Sequence, residues 1–244
     1  MAPAPLVPPL VPSPSARPTL DFAGHRFAVA GDRALFWARH GALIVADMHL
    51  EKARWYAARG QPLPPYDSID TLDRLARLAA DTGARQIWCL GDSFHDPQAA
   101  RAVAPAIARR LAHHAARARL VWVAGNHDGL SGDAWGGTVA DELVVDGIVL
   151  RHQCLPGEAR PEISGHFHPK LRLALRGRSV SRPCFAADDR RLMLPAFGSL
   201  AGGLDVRDAA IAEQFSGPYR AMLVAQGRLL AFPCRDAAGC DATA

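Results

Sequence analysis

Five short blocks carry side chains suited to divalent cations: Asp47-Met-His49, Gly91-Asp92-Ser-Phe-His95-Asp96, Gly125-Asn126-His127-Asp128, Arg151-His152 and Gly165-His166-Phe-His168. Aspartate, histidine and an asparagine carbonyl, with no thiolate among them, make a mixed nitrogen and oxygen donor set for hard or borderline metals. Two such ions ~3.5–4 Å apart can clamp the attacking and the leaving oxygen in a phosphoryl displacement. They also bring a bound water toward ionisation at neutral pH. A carboxylate shared by both ions is the natural centre of such a site, and Asp92 stands centrally in the pattern. No serine or cysteine has the surroundings of an activated nucleophile, so the chemistry indicated is direct attack by water.

These blocks need a scaffold that brings them to one place. Each follows a short apolar run that reads as a strand: 42–46, 86–90, 120–124, 148–150 and 162–164. In α/β sheets the carboxyl ends of such strands gather along one rim, where ligands bind. The glycines before Asp92, Asn126 and His166 suit sharp turns or close backbone approach. Two strands, 25–30 and 33–38, flank Gly31-Asp32 ahead of the first block. A helix capped by Asp67 or Ser68 is expected through residue 80, stopped by Gly83. A second is expected over 98–115, kinked or truly begun at Pro105. The later chain reads as β-hairpins, with Asp146-Gly147 as a turn and strands over 171–175, 191–195 and 219–232. Strand–helix–strand alternation followed by hairpins predicts one α/β domain with two packed sheets.

Of the 244 residues, 49% are hydrophobic and 21% charged, ample for a packed core. No apolar run approaches the ~20 residues of a membrane span. Residues 1–18 are proline-studded and lack a basic start, so they read as a disordered leader. The domain is expected over 19–236 and a flexible tail over 237–244. The five cysteines form no CxxC pair, which argues against a disulfide framework or zinc knuckle and favours a cytoplasmic location. Residues 151–191 hold nine basic side chains against four acidic ones, in a chain whose net charge is only +4. That local excess favours an anionic partner, although from charge alone a solvated arginine face is the commoner reading.

Taken in order, Asp-x-His, Gly-Asp, Gly-Asn-His-Asp, a strand-end histidine and Gly-His-x-His resemble the calcineurin-like metallophosphoesterases, over about residues 42 to 168. The resemblance implies a metallophosphoesterase sandwich of two mixed β-sheets flanked by helices. It also implies two divalent metal ions, Mn2+ foremost, with iron or zinc as the other family metals. Asp47, His49, Asp92 and His168 would hold one ion, and Asp92, Asn126, His152 and His166 the other. His127 would stand beside the phosphate as acid or electrostatic group, with Asp128 orienting its ring. Asp47-Met-His-Leu-Glu-Lys52, the Arg59–Tyr66 loop, Leu90-Gly-Asp-Ser-Phe-His95, Ile163–Pro169 and Leu194-Pro-Ala-Phe-Gly198 further resemble the bacterial ligase-associated DNA damage response phosphoesterases.

That likeness implies a nuclease that cleaves phosphodiesters by attack of a metal-bridging hydroxide. It implies nucleic acid as substrate and repair ligases or helicases as partners. Arg54, Arg59 and Arg172 are the candidate phosphate contacts. His95, three residues after Asp92, either reaches the phosphate or supports the ligands from behind. Trp55, Tyr56 and Trp135 either stack on bases or pack beneath loops, whereas Trp88 and Trp122 read as core. His113 and His114 read as solvated. Two alternatives remain: a small-molecule or nucleotide phosphodiesterase, and a catalytically retired metal-binding scaffold in a repair complex.

Overall fold

A computed structural model describes residues 17–129, 133–175 and 178–234. The expected tail, Arg176 and all but the last two leader residues lie outside them. The first sheet contains β1 (Thr19–Phe22), β2 (His25–Ala30), β3 (Ala34–Trp37), β4 (Ala42–Ala46), β5 (Gln86–Leu90), β6 (Arg119–Val123), β7 (Asp133–Ala134) and β8 (Gly137–Ala140). Its order is β1-β2-β3-β4-β5-β6-β8-β7. β1 to β4 form an antiparallel meander, and β4, β5, β6 and β8 run parallel. Parallel strands with matched registers place residues 47, 91 and 124 side by side at one rim.

The second half contains β9 (Leu143–Val145), β10 (Ile148–Leu150), β11 (Glu162–Ser164), β12 (Lys170–Leu175), β13 (Arg178–Pro183), β14 (Phe185–Ala187), β15 (Arg191–Met193), β16 (Tyr219–Ala225) and β17 (Arg228–Cys234). Seven of these form a mixed sheet, ordered β17-β16-β14-β15-β11-β10-β9, while β12 and β13 pair as a separate hairpin. β10 and β11 are parallel, so residues 152 and 166 also emerge at one end.

The inner strands are buried on both faces, and their side chains sort by parity. Ala42, Ile44, Trp88, Leu90, Val121 and Val123 meet Ile148, Leu150, Ile163 and Leu192 of the other sheet. Leu43, Val45, Ile87, Cys89, Leu120 and Trp122 face the helices instead. Those helices are α1 (Lys52–Ala57), α2 (Asp67–Thr82), α3 (Pro97–Arg101) and α4 (Pro105–Ala115). Pro105 is the first residue of α4 and not a kink, because a proline lacks the N–H that only the first turn can spare. The outer face of the second sheet is covered by the β12–β13 hairpin and α5 (Ala209–Ala212). The helical flank is therefore essentially one-sided. Cys89, Cys154 and Cys184 are buried free thiols, and Cys234 is disulfide-bonded. Among the described residues no helix is long and apolar enough to cross a membrane.

His113 is exposed, as expected, but His114 is not. It lies seven residues after Ile107 and three after Leu111, on the same helix face. Its Nε2–H donates to the Leu72 carbonyl of α2 at 3.1 Å. Burial holds its pKa below the ordinary 6.5. The unfolded chain therefore takes up this proton first as the pH falls, and the folded state loses stability below about pH 6.5. His114→Gln keeps an N–H for the Leu72 carbonyl. It should make the urea midpoint fall less steeply between about pH 7 and 5 than in the parent chain. An unchanged slope would contradict a neutral buried imidazole.

Candidate metal centre

The loop after β4 is joined to the loop after β5 by a ladder of backbone bonds. Asp47 donates to the Gly91 carbonyl (3.1 Å), His49 to Asp92 (2.9 Å), Leu50 to Ser93 (2.9 Å), and His95 back to Leu50 (3.0 Å). Gly165 donates to His152 at 2.9 Å and Gly198 to Asp47 at 3.1 Å. This lacing holds side-chain-bearing residues in the left-handed region, with φ of 54° at Asp47, 45° at His49, 46° at Asp92, 71° at His166 and 49° at His168. Such conformations cost of order 1–3 kcal/mol each and persist only where the surroundings enforce them.

Space at the junctions is equally tight. A Cβ on Gly125 would stand 2.1 Å from the Asp92 nitrogen, and one on Gly165 would stand 2.3 Å from Asp47 Oδ2. The two glycines thus let neighbouring loops close on the carboxylates.

The resulting cluster contains the side chains from all five blocks. Asp47 is fully buried. Its Oδ2 accepts the His166 backbone N–H at 2.9 Å. Its Oδ1 has no hydrogen-bond partner and lies 3.4 Å from His168 Nε2 and 3.6 Å from His152 Nδ1. His49 Nε2 and His168 Nε2 face each other at 3.3 Å. On the other side, His152 Nε2 is 2.7 Å from Asn126 Oδ1, 3.0 Å from His166 Nδ1 and 3.5 Å from Asp92 Oδ2. Asp47, His49 and His168 each offer a ligand atom within 4.8 Å of the others, and so do Asp47, Asp92 and His152. Asp47 is thus common to both groupings, whereas the centrally placed Asp92 falls in the second.

The fit to divalent metals can be judged from the charge inventory. Asp47, Asp92 and Asp128 are all buried, and among the described residues none is paired with a lysine or arginine. Burial pushes the Asp128 carboxyl up to about 7, against the Phe94 hydrogen bond, with the Asp92 charge adding to the rise. Burial, then the neighbouring His168, holds His49 down to about 2, and burial, then Lys52, holds His95 to about 4. Imidazoles and carboxylates packed in a dry volume lack one component, a fixed positive charge. Divalent cations supply it, and oxygen with imidazole nitrogen is a donor set they accept.

The remaining candidates have different surroundings. His127 is half-exposed at the mouth, its backbone N–H donating to Asp92 Oδ1 at 3.0 Å and its Nε2 3.9 Å from Asp92 Oδ2. Asp128 does not orient that ring. Its oxygens accept the backbone N–H groups of Phe94 (2.7 Å) and Gly125 (3.2 Å), so it ties the β5 and β6 loops together. His95 stacks parallel to His127, with centroids 6.1 Å apart, and Tyr56 and Trp55 pack beside it. Trp135 is a packing residue, against Phe94 at 6.2 Å, with its Nε1–H on the Ala100 carbonyl. Arg54 donates to the Ala102 carbonyl and lies 3.4 Å from Glu51, and Arg59 lies 3.6 Å over the Trp55 ring. Arg172 is exposed on the hairpin, outside the cluster. Sequence reasoning passed over Lys52 and Lys170, although they are the only lysines and follow His49 and His168 by three and two residues.

A family model described as calcineurin-like phosphoesterase matches residues 42–175. Among solved structures, a Pseudomonas putida nuclease, MPE, is similar at 32% identity and a TM-score of 0.66, covering 84% of this chain and 95% of that one. Yfce, a phosphoesterase from E. coli, is 17% identical with a TM-score of 0.39, covering 76% and 88%, too slight a likeness to bear on function. No curated protein sequence matches the chain. The matched segment opens on the first residue of β4 and closes on the last of β12, so it contains every strand end that feeds the cluster: the chain belongs to the calcineurin-like phosphoesterases, hydrolases that work with divalent metals.

Proposed function

We propose that the chain is a two-metal phosphodiesterase acting on nucleic acid, a nuclease of DNA repair. The observation that carries this reading is the Asp47 carboxylate, buried and with one oxygen unpartnered between two sets of histidine nitrogens. Asp47, His49, Asp92 and His168 would hold one cation, and Asp92, Asn126, His152 and His166 the other. Bound there, two divalent ions, manganese foremost, supply an activated water and neutralise charge on the phosphoryl oxygens. Nucleic acid as the substrate is supported by the nuclease among the similar structures and by the basic 151–191 segment. The likeness of the Leu90–His95 and Ile163–Pro169 motifs to ligase-associated repair phosphoesterases supports repair ligases or helicases as partners and a cytoplasmic location.

The chain's own groups divide the remaining work. We assign to His127, half-exposed at the mouth, the role of protonating the leaving oxygen or stabilising its charge. Asp128 holds the loop that carries it. His95, parallel to His127 and unprotonated near neutral pH, limits how far that ring can turn. Arg54, Arg59 and Arg172 are outer contacts for the phosphate backbone, each expected to contribute about one unit to the salt slope of binding.

Two outcomes follow. Asp47→Asn and Asp92→Asn should each lower manganese-dependent hydrolysis of bis(4-nitrophenyl) phosphate by about a thousandfold or more, and undiminished turnover in either would remove that carboxylate from the machinery. Independently of activity, manganese should raise the melting temperature of the chelator-treated parent protein, because an ion that binds only the folded state stabilises it. Asp47→Asn should shrink that rise. A parent protein whose melting is indifferent to added manganese, zinc and iron would refute the metal centre itself.

A further inference from the structure

A row of aromatic rings leads outward from the metal-ligand cluster. Trp55 and Tyr56 are consecutive residues of α1, the short helix that follows the His49 loop. The start of that helix is fixed by the Glu51 N–H on Ser68 Oγ (2.7 Å) and the Ala53 N–H on Asp67 Oδ2 (3.1 Å). Arg59 donates to the Trp55 carbonyl at 3.2 Å and lays its guanidinium 3.6 Å from the centre of the Trp55 ring. The Tyr56 ring stands 5.0 Å from that of Trp55, at 74° to it. Both rings meet His95: Trp55 edge to face at 4.9 Å, Tyr56 at 6.2 Å with only 22° between the planes. His95 in turn lies 6.1 Å from His127, at 5°, and 5.7 Å from the ligand histidine His49. The planes of His127, His95 and Tyr56 therefore share nearly one orientation, stepping from the cluster to the surface.

The surroundings of Trp55 and Tyr56 differ from those of the packing aromatics. Trp37, Trp88 and Trp122 are buried in the core, and Trp135 sets its Nε1–H on the Ala100 carbonyl. Trp55 and Tyr56 are only half-buried. Among the described residues neither the Trp55 indole N–H nor the Tyr56 hydroxyl has a hydrogen-bond partner, although such groups are normally satisfied in an interior. A small cleft opens beside Trp55, lined with polar side chains: Glu51, Arg54, Asp96 and Gln98. Flat apolar faces bordered by donors and acceptors match a nucleobase, which has a π face and a polar edge.

We propose that Trp55 and Tyr56 form a stacking platform for the nucleobase that flanks the scissile phosphate, with His95 linking that platform to the metal cluster. The proposal rests on the phosphodiesterase reading above and deepens it: the site recognises a nucleoside and not the ester alone. Stacking of this kind tolerates any base, because every base presents a π face. A base held on the platform also restricts where its own phosphate can lie relative to His127.

The test removes the base and leaves the phosphate, using the full chain with manganese. Thymidine 5′-monophosphate should bind about tenfold more tightly than the 5′-phosphate of the abasic tetrahydrofuran analogue by calorimetry. In parallel, kcat/KM should be about tenfold higher for dTpdT than for the dinucleotide with abasic analogues at both positions. Trp55→Leu and Tyr56→Leu should each reduce both ratios about threefold or more, and Tyr56→Phe should keep them. The leucine variants should still hydrolyse the fully abasic dinucleotide at the parental rate, which a merely structural role for these rings would not allow. Equal treatment of ligands with and without a base by the parent chain overturns the platform. So do a preference retained in both leucine variants and an equal loss on dTpdT and the abasic dinucleotide. If neither dinucleotide is cleaved while the calorimetric preference holds and depends on Trp55 and Tyr56, the platform stands and the nuclease reading falls.

Discussion

Everything at the rim turns on one buried carboxylate. Asp47 leaves β4 at a backbone angle unusual for a residue with a side chain, accepts the His166 N–H with one oxygen and offers the other to histidines on two sides. Without countercharge this arrangement is unfavourable, since an isolated ionised carboxylate in a dry interior costs of order tens of kcal/mol by Born solvation. Three buried carboxylates and six neighbouring histidines together make a donor set suited to cations.

The scaffold makes that arrangement possible by being rigid where the site needs it. β4, β5 and β6 are buried on both faces, between the second sheet on one side and α2 and α4 on the other. Their ends cannot drift apart. The left-handed backbone at Asp47, His49 and Asp92 is held by backbone bonds between adjacent loops, and His166 is held by its N–H on the Asp47 carboxylate. Bonds within the chain thus fix the ligand positions, and a fixed site lowers the ordering cost of binding. Asp128 contributes in the same way: a carboxylate at the heart of the site has its oxygens on two backbone amides, as a brace between loops.

Charge beyond the cluster is mostly guanidinium. These groups, planar and rich in donors, rest on carbonyls and rings of the protein and help to hold the loops around the site.

The ligand types, their order and the strands that deliver them were legible in the sequence, because apolar runs ending in Asp, His and Asn are local patterns. Pro105 was legible as a kink or a helix start, and the structure makes it the start; the continuous apolar runs of β4 to β6 carry no alternation, so which side chains face which layer was not. Even the burial of His114 was encoded in its spacing from Ile107 and Leu111. The short strands β1, β7, β8, β13 and β14 were not foreseen, because strands of two to six residues with little alternation are defined by their partners and not by their own composition. Nor does any local pattern tell that Asp47 is shared between two histidine sets or that Asp128 grips the β5 loop. Those facts depend on contacts between residues 34 to 119 positions apart. The sequence determined what chemistry the chain carries, and only the packing of strand ends against one another decided which atoms meet.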